Sequence, residues 1–323
     1  MIKVVVAITT YNLEKYIAQA IDSVLVQKTN FDYKIIIADD CSADDTVTII
    51  QRYASKYPDK IKLLLSEKNQ GSLVNSNRIF DGLQCEYFAF LDGDDYWVGE
   101  EHLQKQVDFL DSHPEYMLCG GNTQYFRNGE LAEYVIEPKK CAHAYSFLDM
   151  LNGTIPFVHT SALLVRNCIF DKGLPQCYKD AEDTFENCAL RGEDFRRILH
   201  LEQGLLYVMP EIVSVYRIHE MGVWQGSSLT KRAIENAIGW NFYKKYFAGK
   251  YGDFFEKMAL DSYRNMLRVL VTERNFLSDY ELNEKETYLL TGLLSDLKKN
   301  NFKTAKKSAF SKRVLLCIMR LLF

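Results

Sequence analysis

The sequence has little that would support a thiol metal site or a membrane-spanning helix. Its eight cysteines are scattered singly, with no CxxC pair and no histidine at zinc-ligand spacing. This pattern favours free thiols in a reducing compartment over a disulfide framework. No segment reaches the roughly 18 to 20 consecutive apolar residues that a spanning helix needs. The opening MIKVVVAITTYN lacks the charged flank and cleavage site of a signal peptide and predicts a strand.

Three signatures of nucleotide binding or catalysis are also missing. No GxxxxGK[ST] run is present, which excludes a P-loop, and no GxGxxG follows the first predicted strand. No GxSxG surrounds Ser161, so a serine-hydrolase interpretation has no support. A diphosphate bound by this chain would therefore be neutralised chiefly by a metal ion.

Charge and composition narrow the class of protein further. The 323 residues are 47% hydrophobic, enough to fill real cores and to exclude disorder. The net charge of −4 is unevenly spread, because eight basic residues follow Asp296 with no acid among them. The rest of the chain is acidic, which argues against a nucleic-acid binder.

Apolar patterning predicts an α/β fold in the first hundred residues. Apolar residues recur at helical spacing from Leu13 to Leu25 and again after Thr46, and each predicted helix lies between two strand-like runs. Alternating strands and helices are typical of a mainly parallel sheet with helices on both faces. The predicted strands are 3–9, 33–39, 60–66 and 87–92.

Polar clusters follow each of these four strands, at the sheet edge where ligands of such folds bind. Asn12 could instead cap the first helix, and Asp44 or Asp45 the second. Four clusters converging on one edge favour a shared ligand over four unrelated polar loops. The clusters are 9–12, 39–46, 69–72 and 92–95.

The last cluster, Asp92-Gly93-Asp94-Asp95, carries the most chemistry. Crowded carboxylates raise one another's pKa unless a cation is present. Mg²⁺ or Mn²⁺ suits such oxygen ligands and usually takes further ligands from water and substrate phosphates. A solvated acidic turn is the alternative.

In these motifs the sequence resembles the family-2 inverting glycosyltransferases, which have the GT-A fold. The resemblance covers roughly residues 3–220 and implies a Rossmann-like, mainly parallel sheet flanked by helices. It implies a metal-dependent enzyme that moves a sugar from a nucleoside-diphosphate sugar, expected to be a UDP-sugar, to an acceptor hydroxyl in bacterial surface-polysaccharide assembly. The matching motifs are TTYN, IIIADDCSADDT, the NxG at Asn69 to Gly71, FLDGDDYW and Gly192-Glu193-Asp194.

The resemblance also implies roles for individual residues. Thr9 and Tyr11 would line the base and ribose pocket, and Asp40 would bind the base edge. Asp92 and Asp94 would contact the ribose and sugar of the donor. Asp94 or Asp95 would coordinate Mn²⁺ or Mg²⁺, Asp194 would be the general base, and the further donor contacts expected are Asn12, Asn69, Gly71, Asn77 and Arg78.

One position departs from the family pattern. Family members commonly carry an arginine five residues after the NxG glycine, followed by asparagine. Here Ser76 stands at that position and Asn77 matches the next, with Arg78 one place late. Arg78 either supplies the missing donor-side charge or lies on a helix surface.

The proposed base follows from the chemistry of inversion as well. A single in-line displacement needs a carboxylate that takes the acceptor proton, opposite the metal-bound leaving group. Asp194, with Glu193 beside it, begins a predicted helix distant in sequence from the acidic cluster. Acids in a first helical turn also compensate the helix dipole, which is the alternative.

Further candidates for acceptor binding or support lie in the second half of the chain. His159 and Thr160 belong to IPFVHTSALLVR, which predicts a strand entering the site; His159 could equally be a structural histidine. The family often has an arginine and a histidine at the positions of Arg217 and His219, so the resemblance implies that Arg217 supports the site and that His219 ligates the metal or contacts the diphosphate. Trp224 could stack on a sugar; it lies in a glycine-flanked stretch that is either a lid or a plain surface loop.

We expect a catalytic domain at 1–227, with a nucleotide-sugar half at 1–97 and an acceptor half at 98–227. A helical extension at 228–297 and a basic, apolar tail at 298–323 follow. We expect a cytoplasmic protein. The tail could lie on an anionic membrane or be solvated, so a peripheral position at the inner face of the cell membrane stays open. Expected partners are the donor and a glycan or lipid-linked glycan acceptor; nucleic acid is not expected, and a homo-oligomer stays open. Alternatives are a sugar nucleotidyltransferase and a non-catalytic nucleotide-sugar-binding scaffold.

Overall fold

A computed structural model describes residues 2–182, 184, 192–219, 222, 227–276, 288 and 291–292. The chain divides into two units, the first comprising Met1–Glu182 with Arg191–Gly226 and the second Asp183–Leu190 with Ser227–Phe323. The domain boundaries expected at 97, 227 and 297 stay predictions. The tail 298–323 lies outside the described residues.

The first unit is built on a mixed sheet, for which ten strands are described. Their order is β3-β2-β1-β4-β9-β6-β10-β5, with β7 added beside β6 and β8 beside β10. The strands are β1 (Ile2–Thr10), β2 (Tyr33–Asp39), β3 (Ile61–Leu65), β4 (Cys85–Asp92), β5 (Tyr96–Trp97), β6 (Tyr116–Arg127), β7 (Glu130–Tyr134), β8 (His143–Tyr145), β9 (Leu163–Arg166) and β10 (Leu205–Arg217).

The four predicted strands are confirmed, and they run parallel. Thr10 of β1 pairs with Asp39 of β2, and Asp39 pairs with Leu65 of β3. On the other side of β1, Thr9 pairs with Asp92 of β4. This register sets the four carboxyl ends level, so the polar segments that follow them share one sheet edge.

Nine helices are described, and the helical spacings predicted in the sequence bury the expected side chains. In α1, Ile17, Ala20, Ile21 and Val24 are fully buried beneath the helix. Each large apolar side chain buried in this way stabilises the fold by about 1.5–3 kcal/mol. The helices are α1 (Ile17–Leu25), α2 (Thr46–Lys56), α3 (Ser72–Phe80), α4 (His102–Ser112), α5 (Phe147–Leu151), α6 (Gln176–Glu182), α7 (Gly192–Leu201), α8 (Leu229–Tyr246) and α9 (Phe254–Phe276).

One predicted element differs in the structure. The segment from Ile155 to Arg166 was expected to be a strand, but only Leu163–Arg166 is one. It is preceded by a 3₁₀ turn at Thr160–Ala162, in which the ring of His159 accepts a hydrogen bond from the Ser161 amide. The local cap competes with strand pairing, and it turns the chain towards the end of β4.

The described part of the second unit consists mainly of α8 and α9. Ile234 and Ile238 of α8 are fully buried, and the hydroxyl of Tyr263 on α9 donates to Oδ1 of Asn241 on α8 at 2.5 Å. This confirms helices over much of the expected extension. No helix within the described residues is long and apolar enough to cross a membrane.

The six cysteines that the structure describes are free thiols, as predicted. They are Cys41, Cys85, Cys119, Cys141, Cys168 and Cys177.

Candidate active site at the strand ends

The acidic turn after β4 is held tightly against β1. The amide of Gly93 donates to the carbonyl of Thr9 at 3.0 Å, and the amide of Asp95 donates to the carbonyl of Asp92 at 2.9 Å. A Cβ added to Gly93 would lie 2.8 Å from the Thr9 carbonyl oxygen, closer than real Cβ contacts allow. Glycine is therefore required for the turn to approach β1.

Asp95 is fully buried at the centre of this turn. Its Oδ1 accepts from the backbone amide of Arg217 at 3.1 Å, and its Oδ2 accepts from the Ser161 hydroxyl at 2.8 Å. Ser161 Oγ in turn accepts from the Asp92 amide at 3.2 Å. Ser161 thus bridges the two ends of the acidic turn, a role the sequence did not predict because its partners lie 66 and 69 positions away.

Asp94 points instead to the end of β10. Its Oδ2 lies 3.0 Å from Nε2 of His219, whose ring packs on Tyr16 at a centroid distance of 4.8 Å. The other ring nitrogen of His219, Nδ1, is buried without a hydrogen-bond partner among the described residues. Asp94 and His219 keep 21% and 14% of their side chains exposed, so this pair is reachable from solvent.

Arg217 braces the turn from beside this pair. Its guanidinium donates to the Asp94 carbonyl and to Oε1 of Gln19, and it lies 4.6 Å from the ring centre of Tyr96 and 5.1 Å from that of Tyr16. The expected supporting position of Arg217 agrees with these contacts, although its role stays a prediction.

Crowding perturbs the acids strongly. Burial, followed by the charges of Asp94 and Glu193, raises the pKa of Asp92 well above its usual value. Burial and the charges of Asp94 and Asp92 do the same to the pKa of Asp95. The positive charge of Arg196 opposes the rise in the pKa of Asp92 without cancelling it.

A cation is the group that such a cluster can accept. Ligand atoms of Asp92, Asp95 and His159 all lie within 4.8 Å of one another. His159 is buried and stacks on Tyr216 at 4.4 Å, and burial lowers its pKa to about 4, so its ring is neutral at pH 7. The packing suits a structural histidine, and the neutral ring suits a metal ligand.

On the nucleotide side, Asp40 organises the loop after β3. Its two carboxylate oxygens accept from the amides of Gln70 and Gly71 at 2.8 and 2.9 Å. Burial raises the pKa of Asp40, while those two amides and Arg78 oppose the shift. Gly71 has a φ of +92°, and Asn69 Oδ1 accepts from the same Gly71 amide at 3.2 Å. The predicted base contact of Asp40 is untested.

Asn12 does not cap α1, so that alternative is wrong. The cap position is Tyr16. Asn12 has a φ of +54°, its amide donates to Ser42 Oγ, and its Oδ1 accepts from the Ala43 amide, each at 2.8 Å. It therefore ties together the loops after β1 and β2. Tyr11 beside it is 45% exposed, available to a ligand, and Thr9 is half-buried.

The departure noted on α3 has a structural explanation. Arg78 donates to the carbonyls of Leu65 and Asp39, at 2.7 and 3.3 Å, and so braces the ends of β3 and β2. Asn77 is buried, and its Nδ2 donates to Oε1 of Glu182 at 2.7 Å. The guanidinium of Arg78 and Nδ2 of Asn77 are thus bound by the protein, whereas Oδ1 of Asn77 is buried with no hydrogen-bond partner among the described residues. The donor contacts of both residues stay predictions.

The predicted base lies in the first turn of α7. Oδ1 of Asp194 accepts from Nη2 of Arg197 at 2.8 Å. Glu193 lies near enough to Asp92 to raise the pKa of that carboxyl. A cavity of about 30 Å³ has Glu193, Asp194, Thr160 and Arg196 in its wall. The fold thus brings these acids to the acidic turn, whereas Trp224 lies outside the described residues.

Known proteins share this sequence pattern and this fold. An uncharacterized protein of Mycobacterium tuberculosis is 30% identical over 230 residues, which cover 71% of this chain and 63% of that protein. The chain therefore spans less than two thirds of this relative. TarS of Staphylococcus aureus, a poly(ribitol-phosphate) β-N-acetylglucosaminyltransferase, is 34% identical over 117 residues, covering 35% of this chain and 20% of TarS.

Solved structures show the same fold at low identity. S. aureus TarS 1-349 has a TM-score of 0.57 and 19% identity, covering 91% of this chain and 80% of that one. The mannosyltransferase PcManGT of Pyrobaculum calidifontis has a TM-score of 0.54 and 16% identity, covering 99% of this chain and 80% of that one. The expected GT-A-type fold is confirmed. The sequence model described as Glycosyl transferase family 2 matches residues 5–173, and the chain belongs to that family.

Proposed function

We propose that this protein transfers a sugar from a nucleoside-diphosphate sugar, with UDP as the favoured nucleotide, to an acceptor hydroxyl with inversion at the anomeric carbon. The observation that carries the proposal is the convergence of the acidic turn 92–95 with Glu193 and Asp194 at one sheet edge. Within the fold, S. aureus TarS is solved with UDP-GlcNAc and with UDP, and PcManGT with GDP-Man and Mn²⁺. These complexes support a nucleotide-sugar donor.

A divalent ion, Mn²⁺ or Mg²⁺, fits the residues present. Asp94 and His219 are the first ligands we assign, because both side chains are partly exposed and Nε2 of His219 lies 3.0 Å from Oδ2 of Asp94. Asp92 and Asp95 adjoin them, although both oxygens of Asp95 already accept hydrogen bonds. When bound, the ion would act as a Lewis acid that offsets charge on the departing diphosphate.

The chain's own residues perform the proton transfer. Asp194 accepts the acceptor's hydroxyl proton, which activates that oxygen for in-line attack. Arg197 holds one oxygen of this carboxylate, and the other, Oδ2, has no hydrogen-bond partner among the described residues. Arg197 thus fixes the orientation of the carboxylate through Oδ1, and Oδ2 is left to accept the proton.

For the acceptor we propose a glycan or lipid-linked glycan at the cytoplasmic face of a membrane. The support is the sequence of the 298–323 segment, with eight basic residues and a final apolar run. Deletion of 298–323 should release the protein from vesicles containing anionic lipid. Equal sedimentation with and without this segment would contradict the membrane proposal.

The function is tested by a thermal-shift screen across nucleoside diphosphates and their sugars, with Mn²⁺ and with chelator. We expect UDP and UDP-sugars to raise the melting temperature only when the metal is present. Under the same conditions, an activity assay should detect transfer of the sugar or hydrolysis of the donor. Binding without any turnover would favour a nucleotide-sugar-binding scaffold. Absence of stabilisation by every nucleotide would contradict the proposal.

A further inference from the structure

Arg196 is a buried cation that the account above does not use. It follows the two acids of α7, is 4% exposed, and its guanidinium lies 4.4 Å from the ring centre of Phe80 and 5.0 Å from that of Phe90. A guanidinium has five N–H donors and no acceptor. Burying it is unfavourable unless those donors find partners.

The partners found do not satisfy these donors. Nη1 makes a long hydrogen bond, 3.4 Å, to Ser76 Oγ. Nη2 is buried with no hydrogen-bond partner among the residues that the structure describes. Within the same described residues, no carboxylate lies within ion-pair distance of this arginine, whereas the adjacent Arg197 is paired with Asp194.

The surroundings of Arg196 indicate which kind of ligand could accept hydrogen bonds from its guanidinium. It lines the cavity of about 30 Å³ that it shares with Glu193 and Asp194, more than the space one water-sized group needs. Its charge opposes the rise in the pKa of Asp92, so that carboxyl is also close. A hydroxyl has an oxygen that accepts from a guanidinium and a proton that it gives to a carboxylate. A sugar is the ligand that brings several hydroxyls to one place.

We propose that Arg196 is a specificity-determining residue that donates from Nη2 to a hydroxyl or carbonyl oxygen of the donor's sugar. This inference rests on the proposed function, since it requires a nucleotide-sugar donor. The contact of Arg196 with Ser76 is a second reason to place the guanidinium on the donor side. Ser76 stands where the family pattern has an arginine, and Arg78 is directed to strand carbonyls instead. The guanidinium therefore reaches this point from α7.

Arg196→Met separates the sugar contact from nucleotide binding. We would titrate wild type and variant by calorimetry, in Mn²⁺, with UDP, GDP and a panel of UDP- and GDP-sugars. The variant should bind the free nucleotide within about twofold of wild type but the nucleotide sugar about 10- to 100-fold more weakly, the range of one hydrogen bond to a charged group. Arg196→Gln, which keeps a shorter donor, serves if the methionine variant does not fold.

Arg166→Met is the matched control, because Arg166 donates to the carbonyls of Leu110 and Tyr116 away from the acidic turn. It should lower the melting temperature and leave both affinities unchanged. Equal loss of nucleotide and nucleotide-sugar affinity in Arg196→Met, or no loss, would overturn the inference, as would a wild type that binds a nucleotide but none of its sugars. A wild type that binds no nucleotide would contradict the proposed function itself.

Discussion

The backbone amide of Arg217 donates to Oδ1 of Asp95 at 3.1 Å, joining residues 122 positions apart. The contact fixes the end of β10 against the acidic turn after β4. Because the second oxygen of Asp95 accepts from Ser161, three separate chain segments meet on one buried carboxyl group. The acidic turn is thus shaped by the second half of the chain as much as by its own residues.

Asp95→Ala should therefore destabilise the fold, whereas Asp94→Ala should not. Removal of the Asp95 carboxyl leaves the Arg217 amide and the Ser161 hydroxyl unpaired in the interior, which costs about 1–3 kcal/mol. Asp94 is partly exposed, so its loss leaves little buried polar surface unsatisfied. Urea unfolding of both variants measures the difference, and equal unfolding free energies would contradict the assigned role of Asp95.

Asp194→Asn should sharply lower the rate of transfer while donor binding persists. The amide cannot take the acceptor proton, and general-base catalysis contributes about 100- to 10,000-fold to rate. Product formation from a donor sugar and an acceptor hydroxyl measures the loss, with calorimetry of donor binding alongside. Asp108→Asn, on the exposed face of α4, is the matched control. Near-normal turnover in Asp194→Asn would remove this residue as the base.

Local patterns made much of this fold predictable. The apolar run 33–39 and the spacing of Ile17, Ala20 and Val24 depend on neighbours in sequence, and both elements lie where expected. The level register of the strand ends followed from parallel pairing. The pattern of strands and helices alone therefore predicts a shared sheet edge.

Contacts between distant segments were not predictable in the same way. Asn12 has the sequence signature of a helix cap, yet it bonds to Ser42 and Ala43 of the next loop. The occupation of Arg78 by strand carbonyls and the approach of Arg196 to Ser76 over 120 positions depend on how α3 and α7 pack. No local pattern encodes those distances, because several helix placements would satisfy the same periodicity.

Gly93→Ala should displace the acidic turn. The new Cβ would lie 2.8 Å from the Thr9 carbonyl oxygen and 3.1 Å from Leu13 Cδ1, and overpacking of this kind costs about 1–3 kcal/mol. Thermal unfolding measures the effect. Gly239→Ala makes the same change inside α8, where no described atom beyond the neighbouring residues and backbone of the helix lies within 4 Å of the added Cβ, and it should stabilise slightly. Equal melting temperatures for the two variants would show that the turn has room.

His200 should make stability depend on pH. Burial lowers its pKa from 6.5 to about 4, with Nδ1 placed 2.6 Å from the Arg196 carbonyl oxygen. Below pH 6.5 the His200 ring takes up a proton in the unfolded chain but stays neutral in the folded chain. The contribution of the neutral ring to the free energy of unfolding is therefore complete above pH 6.5 and is lost as pH falls towards 4. Relative to His200→Phe, the wild-type unfolding free energy should fall by about 1.4 kcal/mol more per pH unit across that window. Parallel curves for the two proteins would contradict the assignment of a neutral buried ring.

The binding of UDP in the presence and absence of Mn²⁺, compared between wild type and Asp94→Ala by calorimetry, tests the central claim most directly. The account predicts that wild type binds UDP only with the metal, and that the folded Asp94→Ala variant loses this metal-dependent binding. Equal UDP affinity with chelator, or unchanged metal-dependent binding in the variant, would contradict a metal-assisted nucleotide-sugar site at the strand ends.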